Sequence, residues 1–166
     1  WPSPQIARTL YHLTPDGGLS RERPEGGVVL RHRSPGDVGM ASGKWCGYGT
    51  PGDAPVDQRR EDGGSLCFEI DIPEGGLAFA GDANLHLRLS ADRPVAQVAA
   101  RLVDVHPDGR ATRLSFGVFN LTHRDGHESP EPMEPGKVCD VTIPMKHVAQ
   151  SLPAGHRLRL ALSSSY

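Results

Sequence analysis

The stretch Ala99-Ala100-Arg101-Leu102-Val103-Asp104-Val105-His106-Pro107-Asp108-Gly109 decides how the rest of the chain is read. It is a short apolar run halted by a Pro-Asp-Gly turn, and a second run, residues 112–121, follows at once. Proline sets φ for the second position of a tight turn and glycine accepts the φ that other residues avoid, so the order is strand, turn, strand. Residues 95–105 are apolar on both faces through Val95, Val98, Leu102, Val103 and Val105, which marks a central strand.

Outward from this hairpin the pattern has period 2. Leu66, Phe68, Ile70 and Ile72 alternate with Ser65, Cys67, Glu69 and Asp71, and Leu85, Leu87 and Leu89 alternate with Asn84, His86, Arg88 and Ser90. Leu114, Phe116 and Val118 follow, then Val141 and Ile143, then Leu158, Leu160 and Leu162 against Arg157 and Arg159. Alternation buries one face and wets the other, the habit of antiparallel strands in a sandwich. The expected fold is therefore all-β, a jelly-roll β-sandwich with few or no helices. Its expected core is Leu85, Leu87, Leu89, Leu102, Phe116, Val118, Val141, Ile143, Leu158 and Leu160. Only residues 146–152 have room for a helical turn or two.

The chain reads as one module, residues 1–166, with a turn-rich docking segment (1–64) and the main strands (65–166). A short strand is expected over residues 8–13, ended by Thr14-Pro15-Asp16-Gly17-Gly18. Residues 31–64 hold few apolar positions and many Gly, Pro and Asp, which implies a long ordered loop pressed on something.

With 20 Gly and 15 Pro in 166 residues, helices are broken often and strands kept short. The 23% of charged residues are of both signs, which argues against disorder, and a net charge of −2 gives no reason to expect nucleic acid or an anionic membrane surface. No apolar run approaches the roughly 20 residues that span a bilayer. Three cysteines, Cys46, Cys67 and Cys139, cannot all pair within one chain, and Cys67 and Cys139 lie in strand patterns as small buried hydrophobes, which favours a reduced, cytoplasmic setting. The opening at Trp1 and the stop at Tyr166 inside a strand-like pattern read as an excerpt from a larger protein.

Motif chemistry mostly dissolves on inspection. A serine hydrolase of the α/β type needs Gly-x-Ser-x-Gly between a strand and a helix, and the nearest match, Gly63-Gly64-Ser65-Leu66-Cys67, lacks the closing Gly. Gly47-Tyr48-Gly49-Thr50-Pro51-Gly52 fits a dinucleotide fingerprint by letter, but Pro51 and Pro55 forbid the helix that would hold a pyrophosphate. Asp104 to Gly109 mimics the opening of a calcium loop, yet its twelfth position is Ser115 where a bidentate Glu is needed. His123 and His127, four apart beside carboxylates, are weak metal candidates, because Gly126, Pro130 and Pro132 argue against the helix that would converge them. No metal or other cofactor is assigned. Asn120-Leu121-Thr122 is a glycosylation sequon, relevant only in a secreted protein.

The order of several pieces resembles the C-terminal domain of the X-Pro dipeptidyl-peptidase / cocaine esterase (CocE/NonD) family of serine hydrolases. They are Asp57-Gln58-Arg59 with Ser65-Leu66-Cys67-Phe68, then Arg101-Leu102-Val103-Asp104-Val105 with Pro107-Asp108-Gly109, then Gly155-His156-Arg157-Leu158-Arg159-Leu160. The resemblance implies a galactose-binding-like jelly roll that follows an α/β-hydrolase domain, covers it and helps wall its active-site cleft. The parent would be a dipeptidyl-peptidase or acyl esterase with a Ser, Asp and His triad, none of which maps onto this chain. The expected partner is that hydrolase domain, with a homodimer as a further contact. Trp45, Tyr48, Asp57 and Arg59 are the candidate domain-interface residues, and Arg101, Arg113, Arg124 and Arg157 are placed to bond carbonyls or carboxylates across the seam. The alternative is an independent carbohydrate- or ligand-binding jelly roll, with Trp45 and Tyr48 stacking on the ligand.

Overall fold

The computed structural model describes residues 6–44 and 46–166. A small hairpin comes first, β1 (His12–Leu13) with β2 (Leu19–Ser20), and a short helix α1 (Arg59–Gly63) precedes the main strands. These are β3 (Leu66–Asp71), β4 (Leu77–Gly81), β5 (Asn84–Leu89), β6 (Gln97–Val105), β7 (Ala111–Asn120), β8 (Cys139–Pro144), β9 (Val148–Leu152) and β10 (Arg157–Ser163). The β6–β7 hairpin is the one expected from the Pro-Asp-Gly turn. The His106 amide donates to the Arg110 carbonyl at 2.8 Å, and Gly109 sits at a φ of 85°.

Three further pairings nest around that hairpin: β5 with β8, β4 with β9, and β3 with β10, each antiparallel. β10 also pairs with β6, giving a four-stranded sheet in the order β3-β10-β6-β7. Between β4 and β5 lie only Asp82 and Ala83, and between β8 and β9 lie Met145, Lys146 and His147. The Met145 amide donates to the Ala83 carbonyl at 2.9 Å, so the two pairs form one ribbon bent at an extra residue, as a bulge bends a strand. This ribbon is the second layer. Its Leu85, Val141, Ile143 and Met145 pack on Phe68, Ala100, Leu160 and Leu162 of the sheet. The molecule is an all-β sandwich, as its alternation indicates.

The outer face of the four-stranded sheet is covered too. Residues 31–64 run across it as a strap and bury Ala99, Val103, Val105 and Ala111 beneath them. The Gln58 amide donates to the Ala111 carbonyl at 2.9 Å, the Ser34 and Ser164 amides each donate to the other residue's hydroxyl, and His32 Nε2 lies 3.1 Å from the Gly64 carbonyl. The surface on which this segment is pressed is thus the chain's own sheet.

Several expectations need correction. Residues 146–152 form no helical turn: Val148–Leu152 is extended and pairs with β4, because the ladder and the burial of Leu152 against Ile72 and Leu158 outweigh local preference. The α-helix lies at Arg59–Gly63, too short to show a period. The strand expected over residues 8–13 keeps only its last two residues. In β7 the pairing shifts between Leu102 and Val103, and Leu114 is the extra residue. Such a bulge flips the alternation: Ser115 and Gly117 face the ribbon, while Phe116 lies against Tyr166, with ring centroids 5.9 Å apart. Val118 is 45% exposed and does not belong to the core. Gly117 has a physical reason to be glycine, since a Cβ there would lie 2.3 Å from the Pro144 carbonyl oxygen.

Leu160→Ala is therefore expected to cost about 2–5 kcal/mol, as buried leucine truncations do, and Val118→Ala no more than about 0.5 kcal/mol. Urea denaturation of both variants checks this, and a reversed order of effects would show the sheet's faces to be misassigned.

Candidate functional site

Arg101 is the one charged residue between Val98 and Val103, and it is wholly buried between sheet and strap. Its outward position on β6 follows from Leu102 pointing inward, since neighbours on a strand alternate. The guanidinium donates to Gln58 Oε1 at 3.2 Å and to Ser65 Oγ at 2.6 Å, and it lies 4.8 Å from the centre of the Tyr166 ring. Asp62 Oδ1 is 3.3 Å from it, close enough for charge pairing but not aligned for a hydrogen bond. Gln58, also wholly buried, donates through Nε2 to the carbonyls of Ala41 (3.0 Å) and Val56 (2.6 Å), and accepts from the Tyr166 hydroxyl at 2.7 Å. Glu61 accepts from the amides of Gly39 and Ala41. The strap is thereby tied to α1 and its N-terminal flank at Gly39, Ala41 and Val56.

A second ionic row flanks the first. Arg159 binds both Asp62 and Glu69, and Arg157 binds Glu69. Burial dominates at Asp62 and holds its pKa above the usual carboxylate value despite Arg159 and Arg101. Burial, aided by the Asp62 charge, pushes the Cys67 thiol up to about 11. Tyr166 is likewise raised by burial.

The expected interface residues divide. Trp45 lies outside the described residues. Tyr48 is 94% exposed. Asp57 and Arg59 pair with each other, Nε to Oδ2 at 3.0 Å, and Asp57 Oδ1 also accepts from the Ala111 amide at 3.3 Å. The Tyr48 loop is held by Asp53, whose carboxylate accepts from the Tyr48 and Thr50 amides and pairs with Lys44 at 2.7 Å. Lys44, before those amides, holds the Asp53 pKa well below the usual range. Of the four arginines placed at a seam, Arg101 and Arg113 do bond across one, but it lies inside this chain: Arg113 donates to the Ser42 carbonyl at 3.0 Å and to the Tyr166 hydroxyl at 2.9 Å. Arg124 donates to the Glu131 carbonyl at 2.8 Å within its own loop.

His123, the last residue of the 3-10 turn Leu121–His123, and His127 beyond it approach each other, Nδ1 to Nδ1 at 3.0 Å. No carboxylate joins them to make a trio of ligands among the described residues. The trio that does form was missed by sequence: Asp104, His106 and His156, whose donor atoms all lie within 4.8 Å of one another. His106 is visible beside Asp104, but His156 is distant along the chain and only the β10–β6 pairing brings it in.

These features define a β-sandwich module whose largest polar array is structural. A profile of the X-Pro dipeptidyl-peptidase C-terminal non-catalytic domain matches residues 1–166, and the chain belongs to that family. It is similar to the cocaine esterase of Rhodococcus sp. (strain MB1 Bresler), 27% identical over 180 residues that cover 99% of this chain and 31% of that protein. An aminopeptidase from a marine sediment Thaumarchaeota archaeon matches in structure with a TM-score of 0.81 at 23% identity, over 100% of this chain and 30% of that one. An alpha-amino acid ester hydrolase matches with a TM-score of 0.74 at 22% identity, over 93% of this chain and 28% of that one. The chain thus spans about a third of the length of these relatives. No helix among the described residues is long and apolar enough to cross a membrane.

Arg101→Ala opens a buried gap, takes away the guanidinium that donates to Gln58 Oε1 and Ser65 Oγ and leaves Asp62 to Arg159 alone, and it is expected to cost about 3–5 kcal/mol, read as a lowered denaturation midpoint. An effect under about 1 kcal/mol would mean that the strap is held elsewhere. At pH 8, Cys67 is expected to resist alkylation while the exposed Cys46 reacts, because thiolate is the nucleophile. The folded pKa lies above the unfolded value of 9.0, so this group leaves stability intact below pH 9.0 and lowers it as pH rises toward about 11. Equal alkylation rates for the two thiols in the native state contradict the burial of Cys67.

Proposed function

We propose that the chain is the C-terminal domain of a CocE/NonD-type acyl hydrolase, dipeptidyl-peptidase- or esterase-like, which packs through its strap on an α/β-hydrolase domain and helps wall that domain's active site. The observation that carries this reading is the strap's outer surface. Met40, Tyr48 and Val56 project into solvent from a segment whose backbone is fixed by Gln58, Glu61 and Asp53. Rigid, exposed aromatic, Met and Arg side chains are the composition favoured at interfaces, and holding them fixed lowers the entropy lost on docking. Tyr48, Asp57 and Arg59 belong to this surface, with Trp45 as its sequence-based fourth member. The nested pairing supports the jelly-roll reading of the sandwich.

Docking of a protein surface is favoured over a small ligand by the shape of the strap. Two grooves beside it among the described residues, about 190 and 210 Å³, are lined by Pro35, Val38 and Arg60 and by Val56, Asp57 and Arg113. Both fall below the roughly 300–1,000 Å³ of small-molecule sites.

Tyr48→Ala combined with Arg59→Glu in the full-length hydrolase is expected to weaken coupling to the catalytic domain by about 1–2 kcal/mol or more. The readouts are lower esterase or peptidase activity and an earlier first unfolding transition, with the melting of the isolated chain unchanged. Full activity and unchanged melting of the whole protein would overturn the reading, and a glycan that binds the chain through Tyr48 would replace it with the carbohydrate-binding one.

A further inference from the structure

At the end of the sandwich where the β6–β7 and β9–β10 turns meet, Asp104 stands between two imidazoles. Its Oδ1 is 2.8 Å from His156 Nδ1, and its Oδ2 is 3.5 Å from His106 Nε2. The two rings lie 4.7 Å apart, centroid to centroid, tilted by 49°. Asp104 is buried, and the imidazoles are only partly open to solvent. We propose that Asp104, His106 and His156 form a binding site for a borderline-soft divalent cation of the zinc type, which clamps the two turns together.

Two neutral imidazoles and one carboxylate are a donor set that zinc uses; Asp104 meets His156 with Oδ1 and His106 with Oδ2, so the carboxylate chelates through both oxygens at one corner of the tetrahedron and leaves the fourth corner for water. With metal–ligand bonds of about 2.0–2.1 Å, tetrahedral neighbours lie about 3.4 Å apart. The Oδ2–Nε2 separation already has that value within 0.1 Å. The Oδ1–Nδ1 pair is shorter because it is a hydrogen bond, and it opens by about half an ångström when a metal replaces the shared proton. In a neutral His156 the single ring proton moves from Nδ1 to Nε2, a change of tautomer that frees the Nδ1 lone pair for the ion. His106 offers Nε2 by giving up its contact with the Thr112 hydroxyl at 3.1 Å.

The site is built before any ion arrives. The His106 amide and carbonyl are both held in the hairpin turn, by Arg110 and Gly109. The His156 carbonyl accepts from the Ile72 amide at 2.9 Å. Asp104 is in the register that pairs it with Leu158 on β10, two residues beyond His156. Backbone placement of all three ligands therefore comes from the sheet, and little ordering remains for binding. The Asp104 carboxylate is mostly buried, and its Oδ2 has only the 3.5 Å approach of His106 against the 2.8 Å hydrogen bond at Oδ1. A cation answers that deficit and, by binding only the folded chain, adds stability by mass action.

The test uses the full-length protein stripped with a chelator and dialysed, then titrated with zinc chloride, with cobalt(II) as a spectroscopic substitute. The expected result is one equivalent of zinc per chain, a zinc-dependent rise in the unfolding midpoint, and visible cobalt bands from nitrogen and oxygen ligation. His156→Ala should weaken zinc binding by more than about 100-fold. His106→Gln, at a ring exposed enough to be replaced without harm to the fold, should do the same and remove the cobalt bands. His123→Ala should change nothing. The proposal is overturned if the wild type takes up no zinc, if both variants bind like wild type, or if His123→Ala abolishes uptake.

Discussion

The guanidinium of Arg101 is the point on which the outer half of the molecule depends. It lies on the central strand of the only four-stranded sheet among the described residues, facing away from the apolar core. An arginine does not lose its charge inside a protein, so a buried one must be met by acceptors or expose itself to water. Here the strap brings the acceptors: Gln58 Oε1, the Asp62 carboxylate and, just after α1, Ser65 Oγ. With the strap in place, Val103, Val105 and Ala111 are covered as well, and the sheet becomes buried on both faces. Pairing this charge ties the strap to the sheet, because Gln58 reaches Arg101 with its Oε1 and the Ala41 and Val56 carbonyls with its Nε2.

That dependence explains what was and was not legible in the sequence. Strands whose alternation is undisturbed, such as β5, β8 and β10, are plain from Leu85, Val141 and Leu160, because burial on one face leaves a period of 2. β7 is legible as a strand but not in phase, because the bulge at Leu114 is a property of its pairing with β6 and leaves no mark of its own. β9 has no pattern: Val148 to Ser151 are mostly solvent-facing, and only β4 makes them a strand. Arg101 stands out as a charge within an apolar run, yet its partners lie 36 to 43 residues earlier, where composition says only loop. Candidate interface residues are readable as types, since Tyr, Arg and Asp in a glycine-rich segment are conspicuous. Which of them face solvent depends on the strap's path, and Asp57 and Arg59 turn out to be engaged with each other.

The strap serves two surfaces at once. Its inner side is polar and tied by hydrogen bonds through Gln58 and Glu61, while its outer side leaves Met40, Tyr48 and Val56 exposed. A loop of this length would ordinarily be too mobile to present a specific surface, and ordering it on docking would cost entropy for every residue fixed. Gln58 and Glu61 meet that cost within the fold, through acceptors and donors at Gly39, Ala41 and Val56. The buried polar array is thus better understood as a device for fixing one conformation than as a source of net stability, since a buried ion pair seldom outperforms an apolar one.

The same hairpin joins this strap to the Asp104 trio. Ala111, the first residue of β7, donates its amide to Asp57 and accepts from the Gln58 amide, and the next residue, Thr112, hydrogen-bonds His106. The turn between β6 and β7 is therefore held on one side by the strap and on the other by the side chains around Asp104. An ion bound there would add three ligand bonds to the strap contacts, the Asp104–His156 hydrogen bond and the backbone ladder that already hold the turn, and so stiffen the base on which Asp57 and Arg59 rest. Coupling of this kind requires no movement of the sandwich, only a narrower spread of conformations in a turn that both surfaces share.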